Sequence, residues 1–330
     1  MAKINSSTYS DFTKNALVLF RRGYDRVPQM ARQMFEVIMS ETETSEHSGL
    51  DGFTFAKRKA QGDNYRKETP TQNYSKTLTK YRIGLETEIT WEMRQYDKYM
   101  EMRKALARLG EAAAQRLELD LTHRFTFATD TSYTDQDGVT VSTTVGDTLA
   151  LASASHTVPG SSTTYSNIVT GNPALSRTGL EVAEKLYATQ MLDASGNKIV
   201  VQPDTLVIAD NPVLENVALE YLNSTAAVDG GNSGVTNVYK GKYRLLKLPY
   251  LATTATGAAD STKENYWMLA DLAHTDAICE ISEAPHMVAP SPGSNAEDFD
   301  NDDWKYKCSA AYAIEIVDPR WIVISTGLGA

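Results

Sequence analysis

Chemistry in this chain would have to start from five histidines, two cysteines and a few clustered carboxylates. His47, His123, His156, His274 and His286 are scattered. None stands at ligand spacing from another, and no HExxH helix occurs, so no metal site is expected. Asp298, Asp300, Asp302 and Asp303 copy the start of a calcium loop. The sixth position is Asp303 where glycine is required, and the twelfth is Ser309 where a bidentate glutamate is required. An EF-hand is therefore excluded, while a looser divalent site stays open. Gly231-Asn232-Ser233-Gly234 follows Asp229-Gly230 and reads as a flexible loop, not as the strained G-x-S-x-G elbow of a serine hydrolase. There is no P-loop and no GxGxxG. The strand–helix unit at 205–222 lacks the glycines that let a phosphate approach the backbone. The expectation is no catalytic residue, no cofactor and no enzyme. Cys279 and Cys308 are too few for a disulfide framework. Both fall on apolar strand faces, so buried free thiols are expected. A bridge would need their Cα atoms within about 7 Å.

Charge is more informative. The chain has 330 residues, a formal net charge of −10 and a pI near 5.1. That argues against a dedicated nucleic-acid binder. The distribution is uneven: residues 1–82 hold 14 basic and 9 acidic groups, the remainder 18 basic and 33 acidic. Lys57, Arg58, Lys59, Arg66, Lys67, Lys76, Lys80 and Arg82 all lie in one stretch. A basic ribbon on an acidic protein suggests another copy of itself as partner, with a solvated flap as the plainer alternative. Glu92, Asp97, Glu101 and the 298–303 carboxylates are the candidate acceptors. The N-terminus has no apolar signal region, and no apolar run approaches the ~18 residues a membrane span needs. Synthesis in the cytoplasm and no membrane contact are expected.

The elements that must position these groups follow from periodicity. Tyr96, Tyr99, Met102, Leu106, Leu109, Ala113, Leu117 and Leu121 recur in steps of three and four, predicting one helix over 89–128. It would be roughly 50–60 Å long, a strut rather than a bundle member, with no second long helix to pack on. Before it, two short amphipathic helical pieces are expected at 12–20 and 30–39, separated by a turn. Phe12, Leu17, Phe20, Met34 and Ile38 form their apolar stripe. This arm has no core of its own and must lie on a neighbour or on the underside of the same subunit. Residues 50–86 read as a long β-hairpin: Phe53 and Phe55 share one face, and Thr77, Thr79, Tyr81 and Ile83 another. Its tip is polar, and a two-stranded ribbon is marginal alone in water. Residues 129–172 read as surface hairpin and loop. A capping box at Thr178 and Glu181 opens a helix ending near 195–196. A buried strand at 205–209 precedes a helix capped by Asn211-Pro212. A hairpin at 237–250 and a strand at 266–270 complete a compact α/β unit. Cys279 and Ile281 alternate with Glu280 and Ser282. Trp304, Tyr306, Cys308, Ala310, Tyr312, Ile314 and Ile316 form a long apolar strand face, with Lys305, Lys307, Ser309 and Glu315 opposite. A short strand over 321–325 ends the chain.

This order of parts resembles the major capsid protein of tailed bacteriophages, the HK97-type fold shared by prophages and encapsulins. The resemblance is one of organisation over essentially the whole chain. It rests on TKYRIGLETEITWEM, ARLGEAAAQRLELDL, TLVIADNPVLENVALEYL, VYKGKYRLLKLPYL and SAAYAIEIVDPRWIVIS. It implies an α+β fold with an N-terminal arm at 1–49 and an E-loop hairpin at 50–86 reaching over a neighbour. A peripheral (P) domain at 87–164 would carry the spine helix 88–128. An axial (A) domain at 165–275, P-domain strands at 276–315 and a last A-domain strand at 316–330 complete it. It implies hexamers and pentamers closing into an icosahedral virion shell around nonspecifically held double-stranded DNA, made in a bacterial host. Scaffolding protein, portal and accessory head proteins are implied partners; because the arm begins near Met1, scaffolding would come from elsewhere or be already removed. Some members join an E-loop lysine to an asparagine of a neighbour, for which Asn295 and Asn301 would be the acceptors. An encapsulin-type compartment stays open within the fold, and an α/β enzyme outside it.

Overall fold

The computed structural model describes residues 6–50, 55–70, 72–96, 99–228, 235–289 and 303–329. The chain opens with helix α1 (Ser6–Tyr24) and a 3-10 turn (Ala31–Met34). Strands β1 (Glu36–Met39), β2 (Thr44–Leu50), β3 (Gln72–Thr79) and β4 (Tyr81–Ile89) follow. Next come helices α2 (Trp91–Gln95) and α3 (Tyr99–Thr126). Two small ribbons lie beyond them, β5 (Ser132–Thr134) with β6 (Thr140–Ser142), and β7 (His156–Thr157) with β8 (Thr164–Tyr165). The compact unit holds α4 (Arg177–Thr189), β9 (Thr205–Ala209), α5 (Pro212–Asn223), β10 (Arg244–Leu248) and β11 (Trp267–Ala270). The chain ends with β12 (Ala277–Val288), β13 (Trp304–Ile316) and β14 (Ile322–Ser325).

Two four-stranded sheets organise the molecule. The first has the order β1-β12-β13-β4 and the second β10-β9-β11-β14. The C-terminal half of α3 lies between them: Leu117, Leu121 and Phe125 share a core with Cys279, Tyr312 and Ile314 of the first sheet and Val207, Met268 and Ile324 of the second. The outer face of the second sheet buries Leu206, Ile208 and Trp267 against α4 and α5. The long apolar face read from β13 is the one that packs inward, with Tyr306 and Cys308 in a third cluster under the first half of α3.

The predicted 89–128 helix is divided. Ile89 is fully buried and belongs to β4, opposite Trp304. Thr90 then caps α2, its hydroxyl accepting from Met93 N at 3.4 Å, and Tyr96 leaves the helix. Residues 97–98 lie outside the described residues. The remaining α3 has 28 residues, about 42 Å. It does have a helical partner. α1 crosses it at paired glycines: a Cβ on Gly23 would fall 1.9 Å from Ala107 O, and one on Gly110 2.1 Å from Phe20 O. The single glycine of the long helix is there because another backbone needs its space.

Other elements differ for similar reasons. The 30–39 segment is not helical. After the 3-10 turn, β-branched Val37 and Ile38 run parallel to β12 as an edge strand. The hairpin pairs β2 with β3 from Thr44↔Thr79 to Leu50↔Gln72, and β4 leaves it at Lys80 to pair with β13. Its buried face carries Tyr74 and Leu78, not Thr77 and Thr79, because the hairpin root lies over the outer face of the first sheet. Phe53 lies outside the described residues, as does the 231–234 loop. α4 is capped by Ser176, whose hydroxyl accepts from Gly179 N at 3.1 Å, and ends at Thr189. The expected hairpin at 237–250 is absent: β10 runs parallel to β9, so β9-α5-β10 is a crossover unit. Asn237 holds that turn with its side chain, accepting from Tyr239 N at 3.0 Å and donating to Ser224 O at 3.0 Å. The Asn211 cap and Pro212 start of α5 stand as read, with Asn211 Oδ1 accepting from Val213 N at 3.0 Å.

Candidate functional site

The β2–β3 hairpin separates its cations into two groups. At the root every cation meets a carboxylate of its own chain. Glu280 on β12 is 2 % exposed and Lys80 5 %. They pair at 3.0 Å, and Glu280 also accepts from Ser45 Oγ at 2.5 Å and contacts His47 Nε2. Burial alone would raise the Glu280 carboxyl, but the hydrogen bonds from Ser45, His47 and Lys80 outweigh it and bring it down to about 2. Lys76 meets Glu315 of β13 at 2.6 Å, and Arg124 of α3 reaches the same carboxylate at 3.4 Å. Burial pushes Lys76 below its ordinary value against the pull of Glu315. Arg82 lies 3.4 Å from Glu283 and donates to Ser309 Oγ at 3.1 Å. The β12 and β13 carboxylates do point away from the inner core, as alternation demands. The hairpin root covers them.

At the tip the pattern reverses. Residues 55–70 are mostly exposed and carry no strand ladder. Lys57, Arg58 and Lys67 are exposed and make no ion pair among the described residues. Lys59 lies over the Tyr65 ring at 4.2 Å. Among the described residues Arg66 pairs only with its neighbour Glu68, at 3.3 Å. Phe55 and Tyr65 are 75 % and 81 % exposed. The tip thus presents five cations and two aromatic rings with no core beneath them.

Of the expected acceptors, Glu92 sits exposed in the first turn of α2. Glu101 is exposed at the start of α3, 3.7 Å from Lys104. Near them in the chain Trp91, Tyr96 and Met100 are exposed, with Trp91 and Tyr96 edge to face at 6.3 Å. Asp303 Oδ1 accepts from Trp91 N at 3.1 Å and so brings one more carboxylate to this corner. Asp97, Asn295, Asp298, Asp300, Asn301 and Asp302 lie outside the described residues. Among the described residues no group of three or more His, Cys, Asp or Glu side chains is arranged to hold a metal ion.

The arm residues face mostly inward. Phe20 packs against Met102, Leu106 and Leu109 of α3, Met34 enters the main core, and Ile38 lies half-buried beside Tyr74 and Leu78. Phe20 and Met34 are therefore taken up by their own chain, the underside alternative of the expected stripe. Leu17 and Val18 remain exposed, and the Phe12 side chain lies outside the described residues. Cys279 and Cys308 are buried free thiols. Cys279 opposes Ile314 while Cys308 opposes Met287. Counted along β13, that places them six strand residues apart, roughly 20 Å, far beyond bridging distance.

Sequence reasoning missed the buried polar anchors. Glu118 of α3, fully buried, accepts from Met30 N at 2.8 Å and Ala31 N at 2.6 Å and so caps the 3-10 turn. Burial raises its carboxyl despite those donors. Asp120 accepts from Tyr312 Oη at 2.7 Å, Tyr81 Oη at 3.1 Å and Arg116 Nε at 3.0 Å, tying α3 to β4 and β13. The available signal was a run of charged residues on an otherwise core-facing helix stretch.

A family model described as phage capsid protein matches residues 73–325. Among solved structures, the mature capsid of bacteriophage PhiM1 is similar at 11% identity, covering 90% of this chain and 86% of that one, with a TM-score of 0.54. A virus-like particle from Pyrococcus furiosus is similar at 11% identity, covering 94% and 98%, with a TM-score of 0.50. At these identities the likeness speaks to the fold. No curated protein matches the sequence.

Proposed function

The chain belongs to the phage capsid protein family, a structural component of the virion and not an enzyme, and on that premise we propose how it builds the icosahedral shell. Copies associate as hexamers and pentamers, and each hairpin tip reaches over the next copy. In this reading the β2–β3 hairpin with its tip, residues 44–79, is the E-loop, α3 is the spine, and β12 and β13 with β4 beside them are strands of the P-domain. Residues 165–275 with 316–330 are the A-domain, and the chain before the hairpin is the arm. Scaffolding protein, portal and accessory head proteins are the proposed further partners. Double-stranded DNA is enclosed without sequence recognition, by an acidic shell that does not adsorb it.

One observation carries the contact: root cations meet buried or half-buried carboxylates of other strands, while at the tip only Arg66 has a carboxylate, its neighbour Glu68, and Lys57, Arg58 and Lys67 have none among the described residues. A thin tip without a core gains stability only by burial on another surface. Lys57, Arg58, Lys59, Arg66 and Lys67 are assigned to the carboxylates of a neighbouring copy, Glu92, Asp97 and Glu101 among them, with Phe55 and Tyr65 against the exposed Trp91, Tyr96 and Met100. Each exposed pair contributes only about 0–1 kcal/mol. Repetition around every capsomer makes the sum matter and makes assembly sensitive to salt. Reversing Lys57, Arg58 and Lys59 to glutamate tests this. The subunit should fold, with unchanged far-UV dichroism, and fail to close shells; intact shells would contradict the assignment. Nuclease-protected DNA inside native particles separates a virion from an encapsulin-type compartment.

A further inference from the structure

The chain passes directly from one sheet to the other at 271–276, between β11 and β12, and returns at 317–321, between β13 and β14. The two crossings run side by side: Val317 N donates to Asp276 O at 3.0 Å and Asp271 N to Trp321 O at 2.9 Å. A cleft of about 450 Å³ opens beside them, lined by Ile199, Val201, His274, Asp276, Arg320 and Trp321 among others. Trp321 Nε1 is buried with no hydrogen-bond partner among the described residues.

Arg320 ties three parts of the molecule together. Its Nε donates to both Asp318 oxygens, at 3.0 and 2.8 Å. Nη1 donates to Leu192 O, beyond α4, at 3.1 Å, and Nη2 to Asn73 Oδ1 of the hairpin root at 2.9 Å. The guanidinium also lies 5.6 Å from the Tyr74 ring centroid. The Asp276 carboxyl receives no hydrogen bond among the described residues. It lines the same cleft as Asp318 and Arg320 of the return crossing, and Glu36 of β1 is the further charge that acts on it. His274, on its own crossing, is engaged by Asp271 at 2.9 Å.

We propose that Asp276, Asp318 and Arg320 form a proton-sensitive joint that couples the hairpin root to the angle between the two sheets. With Asp276 neutral, the crossings close on each other and Arg320 holds Asp318, Leu192 and Asn73 as one unit. With Asp276 ionised, repulsion from Asp318 and Glu36 parts the crossings into the adjoining cleft. Burial, then the Asp318 charge, push the Asp276 carboxyl up to about 6, with Arg320 opposing and Glu36 adding. An aspartate in the unfolded chain titrates at about 3.9. The folded joint therefore binds its proton more tightly than the unfolded chain does, and the closed form is favoured on the acid side.

The inference concerns a single chain and does not rest on shell formation. Hydrogen exchange on the full chain, corrected for the chemical exchange rate, tests it at about pH 5 and about pH 7.5. Amides at 271–277, 317–321 and 72–75 should be several-fold more protected at the lower pH, the protection falling as pH rises from about 4 through about 6. Asp276→Asn should show the low-pH protection at both values. Equal wild-type protection at the two pH values would overturn the proposal, as would an Asp276→Asn chain that keeps the wild-type pH response.

Discussion

Glu280 and Glu118 are both buried glutamates, and their environments drive them in opposite directions. Glu280 is held ionised by Lys80, Ser45 and His47, whereas Glu118 faces only backbone amides of the 3-10 turn and is raised by burial. Replacing Glu280 by glutamine leaves Lys80 buried without its charge partner. We expect a loss of about 3 kcal/mol in denaturant unfolding at neutral pH. Because the Glu280 carboxyl is lowered, its contribution is present above the unfolded value of about 4.3 and is lost as pH falls toward about 2. Glu118→Gln keeps the Met30 and Ala31 acceptor and removes the buried charge. Its stability at neutral pH should equal or exceed that of the parent, and a loss of several kcal/mol would show that the ionised form is needed. Neither role was legible in the sequence. Strand alternation assigns Glu280 correctly to the outer face, but periodicity does not say that a hairpin 200 residues earlier will cover that face.

The elements that read correctly are those whose signal is local. Asn211-Pro212 marks the start of α5 by its own capping chemistry, β9 is a short run of apolar residues, and β13 alternates over its whole length. The elements that read wrongly depend on partners distant in sequence. β1 is a strand because β12 offers an edge, β10 is parallel because α5 returns it to β9, and Ile89 leaves the helix because Trp304 pairs with it. The α1–α3 crossing belongs to the same class, since Gly110 gives no sign in the sequence of the backbone it admits. Gly110→Ala would place its Cβ 2.1 Å from Phe20 O. The helices must separate, at an expected cost of about 1–3 kcal/mol, read as a lower melting temperature with helical content retained. A melting temperature equal to the parent's would mean that α1 does not pack on α3 in solution.

At the scale of the whole molecule, the order of hairpin, long helix, compact α/β unit and long returning strands was legible, because each part has a distinct local pattern. How the parts stack was not, since α3 between two sheets and the hairpin root over one of them are products of long-range burial. The same burial divides the hairpin's cations, and in the proposed assembly that division leaves the tip for a second copy. Assembly driven by exposed pairs should weaken as ionic strength rises, visible as slower shell formation by light scattering in high salt. An unchanged rate would remove the charge contribution. The most direct test is cryo-electron microscopy of particles formed by the full chain. The account predicts closed shells of hexameric and pentameric capsomers, in which Lys57, Arg58 and Lys59 of one copy lie against Glu92 and Glu101 of the next. Shells in which these lysines and this arginine face solvent, or a chain that remains a monomer, would contradict it.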